Sequence, residues 1–160
     1  RVTNAPLLGG TTFQPDVARK PLITQIPAQS PRAESYRQIR TNLQFVHAER
    51  KASLLVTSSV PGEGKTTTAM NLALTLAQSG QSVALVDADL RRPMIAQYLG
   101  LDPDAGLTTA LAGDADVDGL LQSWGSNGLQ VLTPGQLPPN PSEMLGSASM
   151  QRVLERLHGM

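Results

Sequence analysis

The apolar positions fall into short blocks, and the spacing inside each block separates helix from strand. Tyr36, Ile39, Leu43 and Val46 recur at helical spacing and predict a helix that starts after Ser30. Ser30 suits the N-cap, and Pro31 suits the first helical position. Glu34, Arg37 and Arg40 make a second, polar stripe rotated well away from the apolar one. The runs 52–57 and 82–87 are each almost continuously apolar, which fits buried strands of a parallel sheet. Between them, Ala69, Leu72, Ala73 and Leu76 mark the inward face of a helix over about 65–79, with Gly80 placed to end it. Strand, loop, helix, strand is one right-handed crossover unit. Further along, 106–113, 117–122 and 147–157 read as helices and 129–132 as a strand. The prolines of 134–141 exclude helix and central strand there. Residues 1–30 are rich in Pro, Gly, Thr and Gln and read as a linker or peripheral arm, with a short extended piece at 22–26. The pattern predicts an α/β fold, a parallel sheet with helices on both faces.

Composition changes this picture little. A chain of 160 residues holds one domain with a real core. Its formal net charge is zero, without the basic excess of a general nucleic-acid binder, so nucleic acid is not an expected partner. It has no cysteine, which excludes disulfides and thiolate metal ligands. Aromatic residues are scarce, so the core must be aliphatic. No apolar run approaches the roughly twenty residues that span a bilayer.

The candidate chemistry starts in the loop Ser59-Val60-Pro61-Gly62-Glu63-Gly64-Lys65-Thr66-Thr67. A phosphate loop reads G-x-x-x-x-G-K-[ST] between a strand and a helix. Ser59 replaces the first Gly, while the Gly64-Lys65-Thr66 core is intact. Gly62 and Gly64 let consecutive N–H groups face an anion, and the helix N-terminus adds its positive end. Lys65 is placed to reach the β- and γ-phosphates, and the Thr66 hydroxyl to bind Mg²⁺. A Gly-rich turn with a chance lysine is the bland alternative; the flanking elements disfavour it.

The second strand ends in Asp87-Ala-Asp89-Leu-Arg91-Arg92-Pro93. Ligands in open parallel sheets bind beyond the carboxyl ends of strands, so Asp87 and Asp89 are expected beside the phosphates. Two carboxylates this close call for a cation, which Mg²⁺ would supply. One holds the metal and the other accepts the proton of an attacking hydroxyl. Asp87 is the metal candidate with Thr66, and either Asp is a candidate base. Alternatively Asp89 caps the next short helix and pairs with Arg91 on the surface.

These two segments together resemble the bacterial tyrosine kinases, the cytoplasmic domains of polysaccharide co-polymerases that govern capsule and exopolysaccharide chain length. The loop resembles that family's Walker A motif and Val86-Asp87-Ala-Asp89-Leu-Arg-Arg-Pro93 its Walker A′ motif. Glu34-x-x-Arg37-x-x-Arg40 is similar to its oligomerisation helix, and Leu129–Gly135 with Pro138–Leu145 to a later loop and helix. The resemblance covers about residues 20–160. It implies ATP and Mg²⁺ as cofactors and transfer of the γ-phosphoryl group to tyrosine. It also implies a ring-like homo-oligomer through Glu34, Arg37 and Arg40, and a tyrosine-rich tail of a neighbouring subunit as substrate. A membrane-spanning co-polymerase segment and a place on the cytoplasmic face of the membrane follow as well. Phe45 is expected to be partly exposed in a monomer and covered in the oligomer.

The family's Walker B strand and tyrosine tail would follow Met160, and its membrane spans would precede Arg1. The expectation is therefore an internal fragment, or a truncated gene product, of a larger membrane protein, 31–160 being the N-terminal part of a kinase domain, with weak or no activity alone. Two rivals stand. Partition and division-site ATPases carry a lysine where this chain has Val60. A non-catalytic, nucleotide-gated scaffold for polysaccharide assembly is the other. His47 and His158 lack ligand-spaced partners and read as surface or packing residues. Tyr98 reads as a packing residue, and Arg91 and Arg92 as surface charges or phosphate contacts.

Overall fold

The computed structural model describes residues 5–12, 16–46 and 53–160. They form two compact units, Arg1–Leu76 and Ala77–Met160.

In the first unit, α1 (Pro31–Val46) and α2 (Lys65–Gln78, whose last turn passes the unit boundary) carry the core. Helix α1 starts where the sequence places it: Ser30 Oγ accepts the Ala33 N–H at 3.3 Å. Tyr36 is buried, Ile39 and Leu43 are half-buried, and Val46 is exposed, so burial of the apolar stripe declines towards the end of α1. On α2, Leu72 and Ala73 are buried as expected, and Ala69 and Leu76 half-buried. The arm is more ordered than its composition suggests. Leu22 and Ile23 are buried, and the piece expected to be extended is a 3-10 turn at Ile23–Gln25 with extended residues on either side. The fully buried Asn71 of α2 holds it: Asn71 Oδ1 accepts the Ile23 N–H at 2.8 Å, and Asn71 Nδ2 donates to Pro21 O at 2.8 Å. An apolar residue at 71 would strand two buried backbone groups, at about 1–3 kcal/mol each. The stripe pattern gave no signal for this contact: Asn71 lies on the face of α2 opposite Ala69, Leu72, Ala73 and Leu76, and that face, with Met70, Leu74 and Thr75, is buried too.

The run 52–57 corrects the sequence reading. Ala52 lies outside the described residues, as does His47. Residues 53–57 form no strand, and Leu54 and Leu55 are exposed. Apolar composition records a demand for burial, whereas a strand also needs a ladder to join, and among the described residues 53–57 belong to no sheet.

In the second unit, β1 (Ala84–Val86), β2 (Gln122–Trp124) and β3 (Leu129–Leu132) form one sheet in the order β1-β3-β2. β1 and β3 are parallel, with Leu85 opposite Val131. β2 is antiparallel to β3, so the sheet is mixed rather than wholly parallel. The predicted helix 117–122 stops early: α5 covers Val117–Leu120, and the chain then turns into β2. Gln122 and Trp124 hold the edge strand by bonds a period-based reading does not see. The Gln122 side chain exchanges two hydrogen bonds with the Asp102 backbone, and Trp124 Nε1 donates to Leu99 O at 2.8 Å. The short α3 (Ile95–Leu99), α4 (Leu107–Ala112), α6 (Pro141–Leu145) and α7 (Ala148–Gly159) complete the unit. Leu107 and Leu111 of α4, Val117 and Leu120 of α5, and Val153 of α7 pack with Leu132 of β3 into its core. Among the described residues no helix is long and apolar enough to cross a membrane.

Candidate nucleotide site

The loop before α2 has the backbone that anion binding requires. Gly62 and Gly64 sit at φ +83° and +88°, the left-handed region that side chains disfavour, with no atom within 4 Å of where a Cβ would stand. The cradle is open on that side. Lys65 is the first residue of α2, and the helix ladder begins with Thr68 N bonded to Gly64 O at 2.8 Å. The first-turn amides of Lys65, Thr66 and Thr67 thus have no partner within the helix and point out of its positive end. Lys65, Thr66 and Thr67 are half-buried, while Ser59, Val60, Pro61, Gly62 and Glu63 are exposed. The loop residues predicted to bind phosphate therefore lie together at one helix end.

The second unit carries the carboxylates. Asp87 follows β1 and is 4 % exposed, whereas Asp89 is exposed. Their local roles differ from the bland alternative. Asp87, not Asp89, holds the start of α3: its Oδ2 accepts the Ile95 N–H at 3.1 Å and its Oδ1 the Asp89 N–H at 3.2 Å. Asp89 closes a turn instead, its Oδ1 accepting the N–H groups of Arg91 at 3.3 Å and Arg92 at 3.0 Å. Arg91 and Arg92 are exposed, and Tyr98 is half-buried on α3.

Burial pushes the Asp87 carboxyl above its ordinary 3.8, and the nearby Asp89 charge adds to this; the N–H groups of Ile95, Asp89 and Met94 oppose it. A carboxyl held above its unfolded value binds its proton more tightly in the native state. Its contribution to stability is then greatest at acid pH, declines as pH rises from about 3.8 to the raised native value, and is flat beyond. Denaturant titrations across that window are expected to show this decline, and Asp87→Asn to remove it. An identical pH slope in the variant would contradict the assignment.

Thr66 in the first unit offers a hydroxyl, and Asp87 and Asp89 in the second offer carboxylates, oxygen donors of the kind hard cations take. Among the described residues no group of three or more His, Cys, Asp or Glu gathers to hold a metal unaided. Mg²⁺ is commonly held by one or two protein oxygens together with substrate phosphates.

Of the residues proposed for subunit contact, Glu34 and Arg37 pair within α1, with Arg37 Nε 3.0 Å from Glu34 Oε2, and Arg37 also donates to Ala28 O. Arg40 turns towards α2, its Nη1 3.4 Å from Thr75 O. Phe45 is 82 % exposed.

A glycine cradle at a helix start, joined in one chain to an α/β sheet with parallel strands, defines a P-loop nucleotide-binding protein. The ParA family, described as NUBPL iron-transfer P-loop NTPase, matches residues 49–143. Tyrosine-protein kinase YwqD of Bacillus subtilis is 41% identical over 133 residues, 82% of this chain and 56% of its own length. The kinase domain of Escherichia coli tyrosine kinase ETK superposes with a TM-score of 0.85 at 29% identity, covering 96% of this chain and 65% of that one. The BceF tyrosine kinase domain does so at 0.83 and 30%, covering 98% and 68%. The chain belongs to this P-loop NTPase family and, within it, to the bacterial tyrosine kinases. It spans little more than half the length of the Bacillus relative.

Proposed function

We propose that this chain is the N-terminal part of an ATP-dependent protein-tyrosine kinase domain, residues 31–160, preceded by an arm, residues 1–30. The observation that carries the reading is the open Gly62–Gly64 cradle at the start of α2. The relatives named tyrosine-protein kinase supply the reaction class. The site roles follow from the motifs. The loop from Ser59 to Thr67, through its free amides and the Lys65 ammonium, would hold and neutralise the phosphates, and Thr66 with Asp87 would provide oxygen ligands for Mg²⁺. Bound Mg²⁺ would offset phosphate charge. Asp89 or Asp87 takes the proton as a tyrosine oxygen attacks the γ-phosphorus and ADP departs. Catalysis of this kind depends on positioning and charge neutralisation.

The wider setting is proposed on the same basis: regulation of capsule or exopolysaccharide synthesis at the cytoplasmic face of the membrane, as a ring whose subunits present a tyrosine-rich tail to their neighbours. Phosphorylating that tail adds negative charge and loosens the ring. The test is phosphotyrosine formed by the longer protein with ATP and Mg²⁺. A protein that binds Mg²⁺·ADP yet forms none would favour the nucleotide-gated scaffold.

Changing Glu34, Arg37 and Arg40 together to Ala is expected to reduce self-association in sedimentation velocity. Their bonds in the monomer are a surface ion pair and backbone contacts of modest worth, so the folded monomer should persist. An unaltered sedimentation profile would reject the interface.

A further inference from the structure

The phosphate loop already holds an anion of its own. Glu63 Oε2 accepts the N–H of Ser59 at 2.9 Å and that of Val60 at 3.2 Å. One carboxylate oxygen thus stands on two consecutive amides, the arrangement by which such loops bind anions. The bonds run backwards along the chain and close residues 59–63 into a small ring. Ser58 Oγ ties the same corner by donating to Val60 O at 3.0 Å. Glu63 lies between Gly62 and Gly64, both left-handed, so the chain reverses on each side of it.

The sequence reading placed Glu63 among the phosphate-binding residues. Its N–H suits that role and its carboxylate does not, because a negative group near bound phosphates is repelled. That repulsion is offset by Lys65 and the positive end of α2, and the carboxylate serves the loop's shape. Without it, the Ser59 and Val60 amides face water in an exposed segment with few packing contacts, the kind that opens locally at low cost. With it, the loop entry is fixed while the helix-start amides stay free for a ligand.

We propose that Glu63 is a positioning residue of the phosphate loop: its carboxylate, seated on the amides of Ser59 and Val60, keeps the loop in the shape that receives a nucleotide's phosphates. The proposal rests on the nucleotide-binding reading of the loop. Preorganisation of this sort improves affinity by cutting the cost of ordering the site.

The test uses Glu63→Ala and Glu63→Gln in the protein, with Mg²⁺·ADP as calorimetric probe and amide hydrogen exchange of the nucleotide-free protein as the second readout. Glu63→Ala is expected to weaken Mg²⁺·ADP binding about tenfold, the scale of losing charge-assisted hydrogen bonds in a wet loop. Glu63→Gln keeps a neutral acceptor and should recover most of that loss. Exchange at Ser59 and Val60 should accelerate in the Ala variant, with α2 unchanged. Binding by Glu63→Ala as tight as wild type or tighter, or unchanged exchange at the two amides, overturns the proposal. Wild type failing to bind Mg²⁺·ADP would instead reject the nucleotide site itself. Should the Ala variant unfold, slower exchange in wild type than in Glu63→Gln decides the question.

Discussion

Lys65→Met is expected to remove autophosphorylation from the longer protein, with a loss of at least about 100-fold. A single preorganised donor aimed at transition-state charge is worth roughly 10²–10³ in rate, and a lysine ammonium at the β/γ-phosphates is such a donor. Met keeps much of the side-chain length and is nearly as good a helix former, so α2 should still begin at residue 65. The residue is half-buried, and methionine is unbranched as lysine is. Folding should therefore survive, and the urea midpoint should stay close to wild type. Phosphotyrosine blotting after incubation with ATP and Mg²⁺ reads the effect, with the midpoint as control. Unchanged phosphotyrosine would end the kinase assignment, because no other residue of the loop can supply that charge.

The features legible in the sequence were those fixed by local rules. The Ser30–Pro31 start of α1, the span of α2, Gly80 after it and strand β3 each follow from caps, period or composition. The Gly-Lys-Thr core specified the cradle because only glycine tolerates φ near +85° at positions 62 and 64. What stayed hidden depends on distant partners. β2 exists because Leu129–Leu132 pairs with it and because Gln122 reaches Asp102. The run 53–57 has a strand's composition but, among the described residues, joins no sheet. The arm is held by Asn71, nearly fifty residues away in sequence. At the site, the pairing of Asp87 with Asp89 was legible, while the division of their labour was not. Asp87 serves Ile95, eight residues on, and Asp89 serves Arg91 and Arg92. Spacing alone does not distinguish an Asx turn from a helix start. Glu63 was hidden for a similar reason: the motif leaves its position free, and only the folded loop brings its carboxylate onto Ser59 and Val60.

Gly106→Ala is expected to be the most damaging small substitution in the second unit. At φ −175° Gly106 is outside the left-handed region, so the left-handed penalty on alanine does not arise. The obstacle is space. An added Cβ would lie 2.0 Å from Thr133 O, 2.6 Å from Thr133 C and 2.8 Å from Gly135 N. All three are backbone atoms, so no rotamer change relieves the clash. Nor can the backbones part freely, since Leu107 N donates to Thr133 O at 2.8 Å and Thr108 N to Pro134 O at 2.9 Å. Gly135 meets the same crowding from the other side, with Thr108 Oγ1 2.4 Å from its own Cβ position. This junction seats the start of α4 on the segment leaving β3, so its rupture exposes Leu107 and Leu132 of the core. Overpacking commonly costs about 1–3 kcal/mol, and a fixed backbone clash belongs at or above that upper value. For a chain of this size that corresponds to a fall in melting temperature of roughly 10 °C. Gly119→Ala is the matched control: it lies in α5 with nothing within 4 Å of its Cβ position, and alanine there should be neutral or slightly stabilising. Thermal melts of the three proteins separate the cases. A Gly106→Ala protein melting with wild type would mean that the α4 start and the 133–135 segment can separate without loss, and that their close approach does not hold the unit together.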